Sequence, residues 1–261
     1  MSEKPIIFTA ESVRAILERR KTQTRRLIKN PEYHRCLIGN CPHWHKDDCA
    51  KSLAEHAPYQ VGQRLWVKET WADTNGESGP MLSYKAGGDK FLMDCPEFLE
   101  PDGSMDYTKI PGCQFTMWCG DLRRGEEGHS WRSPMFMPRR ASRIDLKVTS
   151  VRAEKVQDIE GEDAFAEGVP CSSWDEEDWI DSDGYGTVME NRYRQAIAEY
   201  KDIWNSLHAK PKPVKVQGIV THYESHPWES GNETREYRGK PWYVKGNPFV
   251  WVIGFEVKNN V

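Results

Sequence analysis

The sequence predicts an α+β fold in which a small, partly closed β-barrel carries two or three packed helices and long loop-rich insertions. Two observations favour this class. The predicted elements run strand, helix, several strands with long loops, short helix, loop, helix and strand, which differs from the regular alternation of a doubly wound sheet. In addition, only 38% of the 261 residues are hydrophobic and 29% are charged, so a compact core must carry long polar segments.

The first elements follow from the pattern near the N-terminus. The apolar run at residues 5–8 predicts a strand. Thr9 is a suitable N-cap for an amphipathic helix over residues 10–19, in which apolar side chains recur at helical spacing. The mixture of β-branched and polar side chains at residues 22–28 then predicts an extended segment.

The later elements are predicted from longer patterns. Strands are expected over residues 64–71, 142–151, 214–225 and 249–257. Helices are expected over residues 159–168, ending at a glycine, and over residues 188–207, ending before two prolines. The chain is predicted to be one domain, residues 1–261, with insertions at about 30–60, 73–135 and 170–240; the second is expected to be loop-rich, with short strand candidates such as residues 82–85.

Composition excludes several classes of protein. No apolar run approaches the roughly 20 residues of a membrane-spanning helix, and we expect no membrane partner. The N-terminal residues do not follow the pattern of a secretion signal, so we expect a cytoplasmic protein whose seven cysteines are reduced. Residues 17–30 carry six basic groups and one acid, whereas residues 154–184 carry twelve acids and one base. The acidic loop 170–186 is a candidate surface for a protein partner.

A cluster of metal-binding residue types lies in the first insertion, with the spacing C-x4-C-x-H-x-H-x3-C. Its members are Cys36, Cys41, His43, His45 and Cys49, with His34 just before. Four Cys or His ligands suit a structural zinc ion, and the predicted set is Cys36, Cys41, Cys49 and one of His43 or His45. Cys95, Cys113 or Cys119 could replace Cys49. The alternative is a surface loop with reduced thiols.

Five short blocks are spread along the chain from end to end. They are residues 4–26, which include Arg20-Lys21-Thr22-Gln23-Thr24-Arg25-Arg26, and residues 61–71, 137–144, 158–169 and 247–255. In this order the blocks resemble the ASCH-domain family, in particular its long members from phages and prophages. The resemblance implies a PUA-like β-barrel, a fold associated with binding RNA and modified bases, in a bacterial cytoplasm. Arg19 stands where the family usually has a glycine after the first helix, so the approach to Lys21 is expected to differ.

The resemblance also implies catalytic residues. Small bacterial ASCH proteins include an amidohydrolase that removes the acetyl group from acetylcytidine, and Lys21, Thr24 and Glu167 match its Lys, Thr and Glu. Lys21 would be the base if burial or neighbouring cations lower its pKa. Thr24 would be the nucleophile or orient a water, and Glu167 would protonate the leaving nitrogen. No cofactor is required. The alternative is that these residue types serve structure alone, as they often do.

The same pocket could bind a base without reacting. Candidate contacts to a nucleobase or nucleic acid are Arg20, Arg25, Arg26, Trp66, Glu69, Arg139 and Arg143. Aromatic rings beside basic groups suit stacking of a splayed base and contact with phosphate, and RNA is favoured over DNA. Two alternatives to hydrolysis are therefore kept: a reader of modified nucleic acid without chemistry, and a phage accessory or assembly protein that uses the barrel as a scaffold.

Overall fold

A computed structural model describes residues 3–29, 56–109, 113–169 and 185–260 of the chain. In these residues twelve strands form three sheets and four α-helices are present, which confirms the predicted α+β class. The strands are β1 (Lys4–Ile7), β2 (Gln23–Leu27), β3 (Arg64–Lys68), β4 (Trp71–Gly76), β5 (Gly79–Tyr84), β6 (Asp89–Phe91), β7 (Ile144–Lys155), β8 (Lys212–Val216), β9 (Ile219–Ser225), β10 (Asn232–Tyr237), β11 (Lys240–Lys245) and β12 (Phe249–Asn260). The α-helices are α1 (Ala10–Leu17), α2 (Cys119–Arg124), α3 (Gly161–Ala166) and α4 (Tyr185–His208). Over the described ranges, none of the helices is both long and apolar enough to span a membrane.

Contacts along the chain divide it into two compact units. Unit 1 comprises residues 1–19, 62–148 and 256–261, and unit 2 comprises residues 20–61 and 149–255. Strands β7 and β12 each contribute residues to both units. Each of the three sheets has two different edge strands, so none of them closes into a barrel through the strands that the structure describes.

The first sheet of unit 1 joins β1, β3 and the start of β7. β1 runs parallel to β3, and β3 pairs antiparallel with β7. Helix α1 begins after Thr9, whose hydroxyl accepts the backbone N–H of Ser12. It ends earlier than predicted because Arg19 adopts a positive φ of 60°, a left-handed conformation that stops an α-helix. The arginine therefore takes the conformation for which a glycine is usually required.

Unit 1 also contains a three-stranded sheet, β4-β5-β6, in the segment predicted to be loop-rich. The strand predicted over residues 64–71 is in fact two, because β3 ends at Lys68 and β4 begins at Trp71. The last four residues of β5 are all buried, on both faces of the strand. The strand candidate at residues 82–85 coincides with the end of β5, and a strand buried on both faces shows no clear alternation by which its full length could be predicted. Trp71, Leu82 and Phe98 lie in the core beside this sheet.

In unit 2, β12 lies between the second half of β7 and β2. β2 pairs antiparallel with β12, and Arg25 stands opposite Val252. Helices α3 and α4 and strand β12 contribute side chains to one hydrophobic core. Its members include Tyr200 and Trp204 from α4 and Val252 from β12. A Cβ at Gly161 would collide with the ring of Tyr193, so the glycine allows the two helices to approach closely.

A four-stranded sheet in the order β10-β11-β9-β8 completes unit 2. The single strand predicted over residues 214–225 is a hairpin, because Gln217 and Gly218 both have positive φ, of 50° and 83°. Arg238 and Gly239 form an equivalent turn between β10 and β11, with φ of 52° and 70°. Two consecutive residues with positive φ are typical of a type I′ turn, which suits the twist of paired strands.

Candidate functional site

Backbone pairing brings the start of β2 to the end of α3. Lys21 and Glu167 form an antiparallel backbone bridge, and the N–H of Thr22 donates to the carbonyl of Ala166 at 2.8 Å. Arg20, which is exposed, donates from Nη1 to the carbonyl of Gly168 at 2.9 Å. These contacts fix two segments that are far apart in sequence against each other, which places Lys21 and Glu167 side by side.

Lys21 and Glu167 form a buried ion pair. Lys21 Nζ donates to Glu167 Oε2 at 2.8 Å and to the Glu167 carbonyl at 2.6 Å. Only 4% of the surface of Lys21 and 8% of that of Glu167 is exposed. The structure thus joins two of the three residues implied as catalytic, across 146 positions of sequence.

Arg25 is the centre of a larger network around this pair. Its Nη1 donates to Glu167 Oε1 at 3.1 Å, and its Nη2 donates to Glu154 Oε1 at 2.6 Å and to Asp163 Oδ2 at 2.8 Å. Arg152 contacts Glu154 and Asp163 as well, from a more exposed position. The three cations Lys21, Arg25 and Arg152 face three carboxylates, so the charges of the network balance.

Burial and charge act against each other in this network. Burial lowers the pKa of Lys21 below its usual range, and the neighbouring Glu167 carboxylate opposes that shift. Burial also acts to lower the pKa of Arg25, but Glu167 and its other partners outweigh it and raise the pKa. A lysine with a lowered pKa releases its proton more readily and can accept one from a reacting group. The pair therefore has the properties of a site for proton transfer.

Thr24, the third residue of the implied set, is buried in the middle of β2. Its neighbours Gln23 and Arg25 both reach Asp163, Gln23 through a hydrogen bond to its carbonyl at 3.0 Å. Because side chains alternate along a strand, Thr24 points to the opposite face of β2. Among the residues that the structure describes, neither Lys21 nor Glu167 forms a hydrogen bond with its hydroxyl.

Three further members of the site were not predicted from sequence. Glu154 and Asp163 are ion-pair partners of Arg25, and the ring of Tyr200 lies beneath the guanidinium, 5.7 Å from its carbon. In the sequence, these ion pairs are indicated by the excess of acidic residues from residue 154 onward and of basic residues before residue 30. Opposite charge in two segments is compatible with pairing, but it does not say which residues meet. Arg26, a predicted binding residue, is largely buried beside this network, and burial lowers its pKa.

The other predicted binding residues lie in unit 1. Arg143 donates from Nε and Nη2 to the two oxygens of Glu69, at 2.9 and 3.0 Å. Glu69 is only 1% exposed, and burial raises its pKa against the opposing effect of Arg143. Arg139 pairs with Asp145 through two bonds of 2.8 and 3.0 Å and lies 5.9 Å from the ring centre of Trp66. Each of these arginines is therefore paired with a carboxylate within unit 1.

The predicted zinc ligands Cys36, Cys41, His43 and Cys49 lie outside the described residues, as do residues 170–184 of the acidic loop. Within the described ranges, no group of three or more His, Cys, Asp or Glu side chains is arranged to hold a metal ion. Burial raises the pKa of Cys95, and it raises that of Cys113 to about 12.

Comparison of the chain with models of protein families, with curated proteins and with solved structures found no match. The geometry of the site is centred on the buried contact between Lys21 and Glu167.

Proposed function

We propose that this chain is an ASCH-type protein that recognises a modified nucleobase, nucleoside or nucleic acid and hydrolyses an N-acyl amide such as that of acetylcytidine. The observation that carries the proposal is the contact of Lys21 Nζ with Glu167 Oε2 at 2.8 Å in a buried position. The resemblance of the five sequence blocks supports the same residues independently. A PUA-like barrel, a cytoplasmic location and a phage or prophage origin belong to the proposal.

The proposed reaction moves one proton along the Lys21–Glu167 contact. Lys21, in the neutral form that its lowered pKa favours, removes a proton from the attacking water while the new C–O bond forms at the acyl carbon; attack by the Thr24 hydroxyl would instead give an acyl ester that a water then hydrolyses. Glu167 lies in hydrogen-bond contact with Lys21, so the proton can pass to its carboxylate. From there it is donated to the leaving nitrogen as the C–N bond breaks. The products are the free carboxylic acid and the amino group of the base, and the step as written requires no cofactor.

Arg25 would hold Glu167 in place during this step. Its bond to Glu167 Oε1 leaves the other oxygen, Oε2, to Lys21, so each oxygen has a separate partner. The attacking group is either a water or the hydroxyl of Thr24. Strand alternation directs Thr24 away from the Arg25 side of β2, which favours water as the nucleophile. A Thr24→Val variant with residual hydrolysis would support this assignment.

The direct test is hydrolysis of acetylcytidine, followed by chromatography of cytidine and acetate. We expect turnover by the wild type and its loss in Lys21→Ala and Glu167→Gln, with folding checked by circular dichroism. Arg194→Ala is the control, because this exposed arginine of α4 pairs with Glu190 and is not a candidate site residue. A fully active Lys21→Ala variant would show that the assigned base is wrong.

The result also separates the alternatives. Tight binding of acetylcytidine without turnover would favour a reader of modified bases. Binding to RNA that falls steeply with salt would favour a reader of polymeric nucleic acid, because phosphate contacts release counterions. If the chain neither hydrolyses nor binds these compounds but forms a stable complex with a protein, the assembly role would replace the present proposal.

A further inference from the structure

A pocket of about 290 Å³ lies within unit 1, and none of its lining residues belongs to the Lys21–Glu167 site. The charged residues that line it are Lys90, Arg139, Arg140 and Arg143, together with Glu97 and Asp145. Two further carboxylates, Glu69 and Glu3, pair with Arg143 and Arg139 from outside the lining. The volume is just below that of most small-molecule sites, which occupy about 300–1,000 Å³. It therefore favours a small ligand.

Two of the cations are already engaged with the two carboxylates of the pocket. Lys90 Nζ lies 3.0 Å from Glu97 Oε1, and Arg139 forms two bonds with Asp145. Arg140 is exposed and forms no ion pair with any residue in the described part of the chain. Arg143 is paired with Glu69, so the uncompensated charge of the pocket resides on Arg140, and Arg143 contributes a hydrogen-bond donor.

Arg143 is held rigidly by groups outside the pocket. Its Nε and Nη2 are both bonded to Glu69, and its guanidinium carbon lies 4.1 Å from the ring centre of Tyr84. Its side chain is only 10% exposed. The remaining nitrogen, Nη1, has no hydrogen-bond acceptor among the described residues.

Glycine at position 88 leaves the space that Nη1 occupies. A Cβ there would lie 2.8 Å from Arg143 Nη1, which is closer than side-chain carbons normally approach. Glu69, Tyr84 and Gly88 together set the direction of one donor that the protein itself does not use. A fixed guanidinium with an available donor is the arrangement that proteins use to recognise oxyanions.

We propose that this pocket binds a phosphate group, with Arg143 Nη1 and the guanidinium of Arg140 as its donors. Phosphate carries negative charge that can balance Arg140, and its oxygens accept hydrogen bonds from several directions. The same chemistry occurs in inorganic phosphate and in the phosphomonoester of a nucleotide. Glu69 acts as a positioning residue, because it orients Arg143 without reaching the anion.

The test is titration calorimetry of the full chain with inorganic phosphate at constant ionic strength. We expect saturable binding, and we expect Arg140→Gln to weaken it about tenfold or more, as the loss of a charged hydrogen bond does. Arg124→Gln is the control, since Arg124 is an exposed arginine of unit 1 that pairs with Asp121 and Glu126 and does not line the pocket.

Arg143 needs a paired variant, because its removal alone leaves Glu69 buried without a partner. The double variant Arg143→Gln with Glu69→Gln avoids that charge, and we expect it to abolish phosphate binding while the chain stays folded. Absence of saturable binding to the wild type, or unchanged binding to the Arg140→Gln variant, would overturn the proposal.

A second titration distinguishes the two sources of the phosphate group. A nucleoside 5′-monophosphate that displaces inorganic phosphate, when the nucleoside alone does not, identifies a phosphomonoester as the ligand. Displacement by neither compound identifies free phosphate. Acetylcytidine carries no phosphate, so a failure of phosphate binding and a failure of the proposed hydrolysis are separate results.

Discussion

Replacing Arg25 with methionine should strongly destabilise the protein. The side chain of Arg25 is 0% exposed, and its two terminal nitrogens bond the carboxylates of Glu154, Asp163 and Glu167. Methionine fills a similar volume but supplies no donor. The carboxylate of Glu167, itself only 4% exposed, would keep Lys21 as its remaining partner among the ion pairs described here.

The size of the effect follows from burial. Removing one partner of a buried ion pair costs about 3–5 kcal/mol, because a charge is left without compensation in a poorly polarisable interior. Lys21 and Arg152 still contact the three carboxylates and offset part of that cost, so we expect a loss of about 3 kcal/mol. Against a total stability of about 5–15 kcal/mol for a typical domain, such a loss is easily measured.

Urea unfolding followed by tryptophan fluorescence measures this loss. Arg152→Met is the matched control, because Arg152 contacts the same two carboxylates, Glu154 and Asp163, but is 44% exposed. Exposed pairs contribute about 0–1 kcal/mol, so the control should change stability little. Equal and small losses in both variants would refute the reasoning, since burial would then not determine the strength of the network.

Three further predictions concern other parts of the chain. Burial, together with the nearby charge of Lys212, lowers the pKa of His208 from 6.5 to about 4. Between these two pH values the imidazole of His208 is protonated in the unfolded chain but not in the folded protein. Stability should therefore fall by about 2–3 kcal/mol between pH 6.5 and pH 4, and His208→Phe, which retains an aromatic ring next to Trp204, should remove that contribution in urea titrations at several pH values. Arg19→Gly should increase the free energy of unfolding by up to about 1 kcal/mol and so raise the melting temperature slightly, because Arg19 has a φ of 60° that glycine adopts without strain. An unchanged melting temperature would mean that the left-handed conformation costs nothing at this position. The zinc site predicted for residues 34–49 should yield about one zinc per chain in metal analysis of untagged protein, and its removal should expose that segment to protease; less than about a tenth of an equivalent would contradict it.

Much of the local structure was predictable because it depends on patterns within a few residues. The N-cap at Thr9 and the apolar spacing behind it placed α1, and continuous apolar character placed β12. The long helix α4 extends from residue 185 to residue 208, close to the predicted range 188–207. In the two helices apolar side chains recur with the helical period, whereas β12 is marked by an unbroken apolar run that is buried from residue 250 to residue 255.

Elements without such a pattern were missed or predicted only in part. β5 is buried on both faces and was predicted only at residues 82–85, and β10 lies in a hairpin within a segment that was expected to be an insertion. The turn at Gln217 and Gly218 interrupts a segment that reads as one strand, because positive φ at a glutamine leaves no mark in the sequence. The approach to Lys21 likewise depended on the backbone conformation of Arg19.

The sequence by itself determined the α+β class, the main helices and strands, and the two segments of opposite charge that supply the site. Only the tertiary structure decided that Lys21 meets Glu167 across 146 positions, that Arg25 joins three carboxylates, and that Arg143 is fixed by Glu69. The physical reason is that periodicity records whether a side chain is buried, not which partner it meets. The stability of a buried charge depends on that partner, and the partner is supplied by segments that are brought together only when the chain folds.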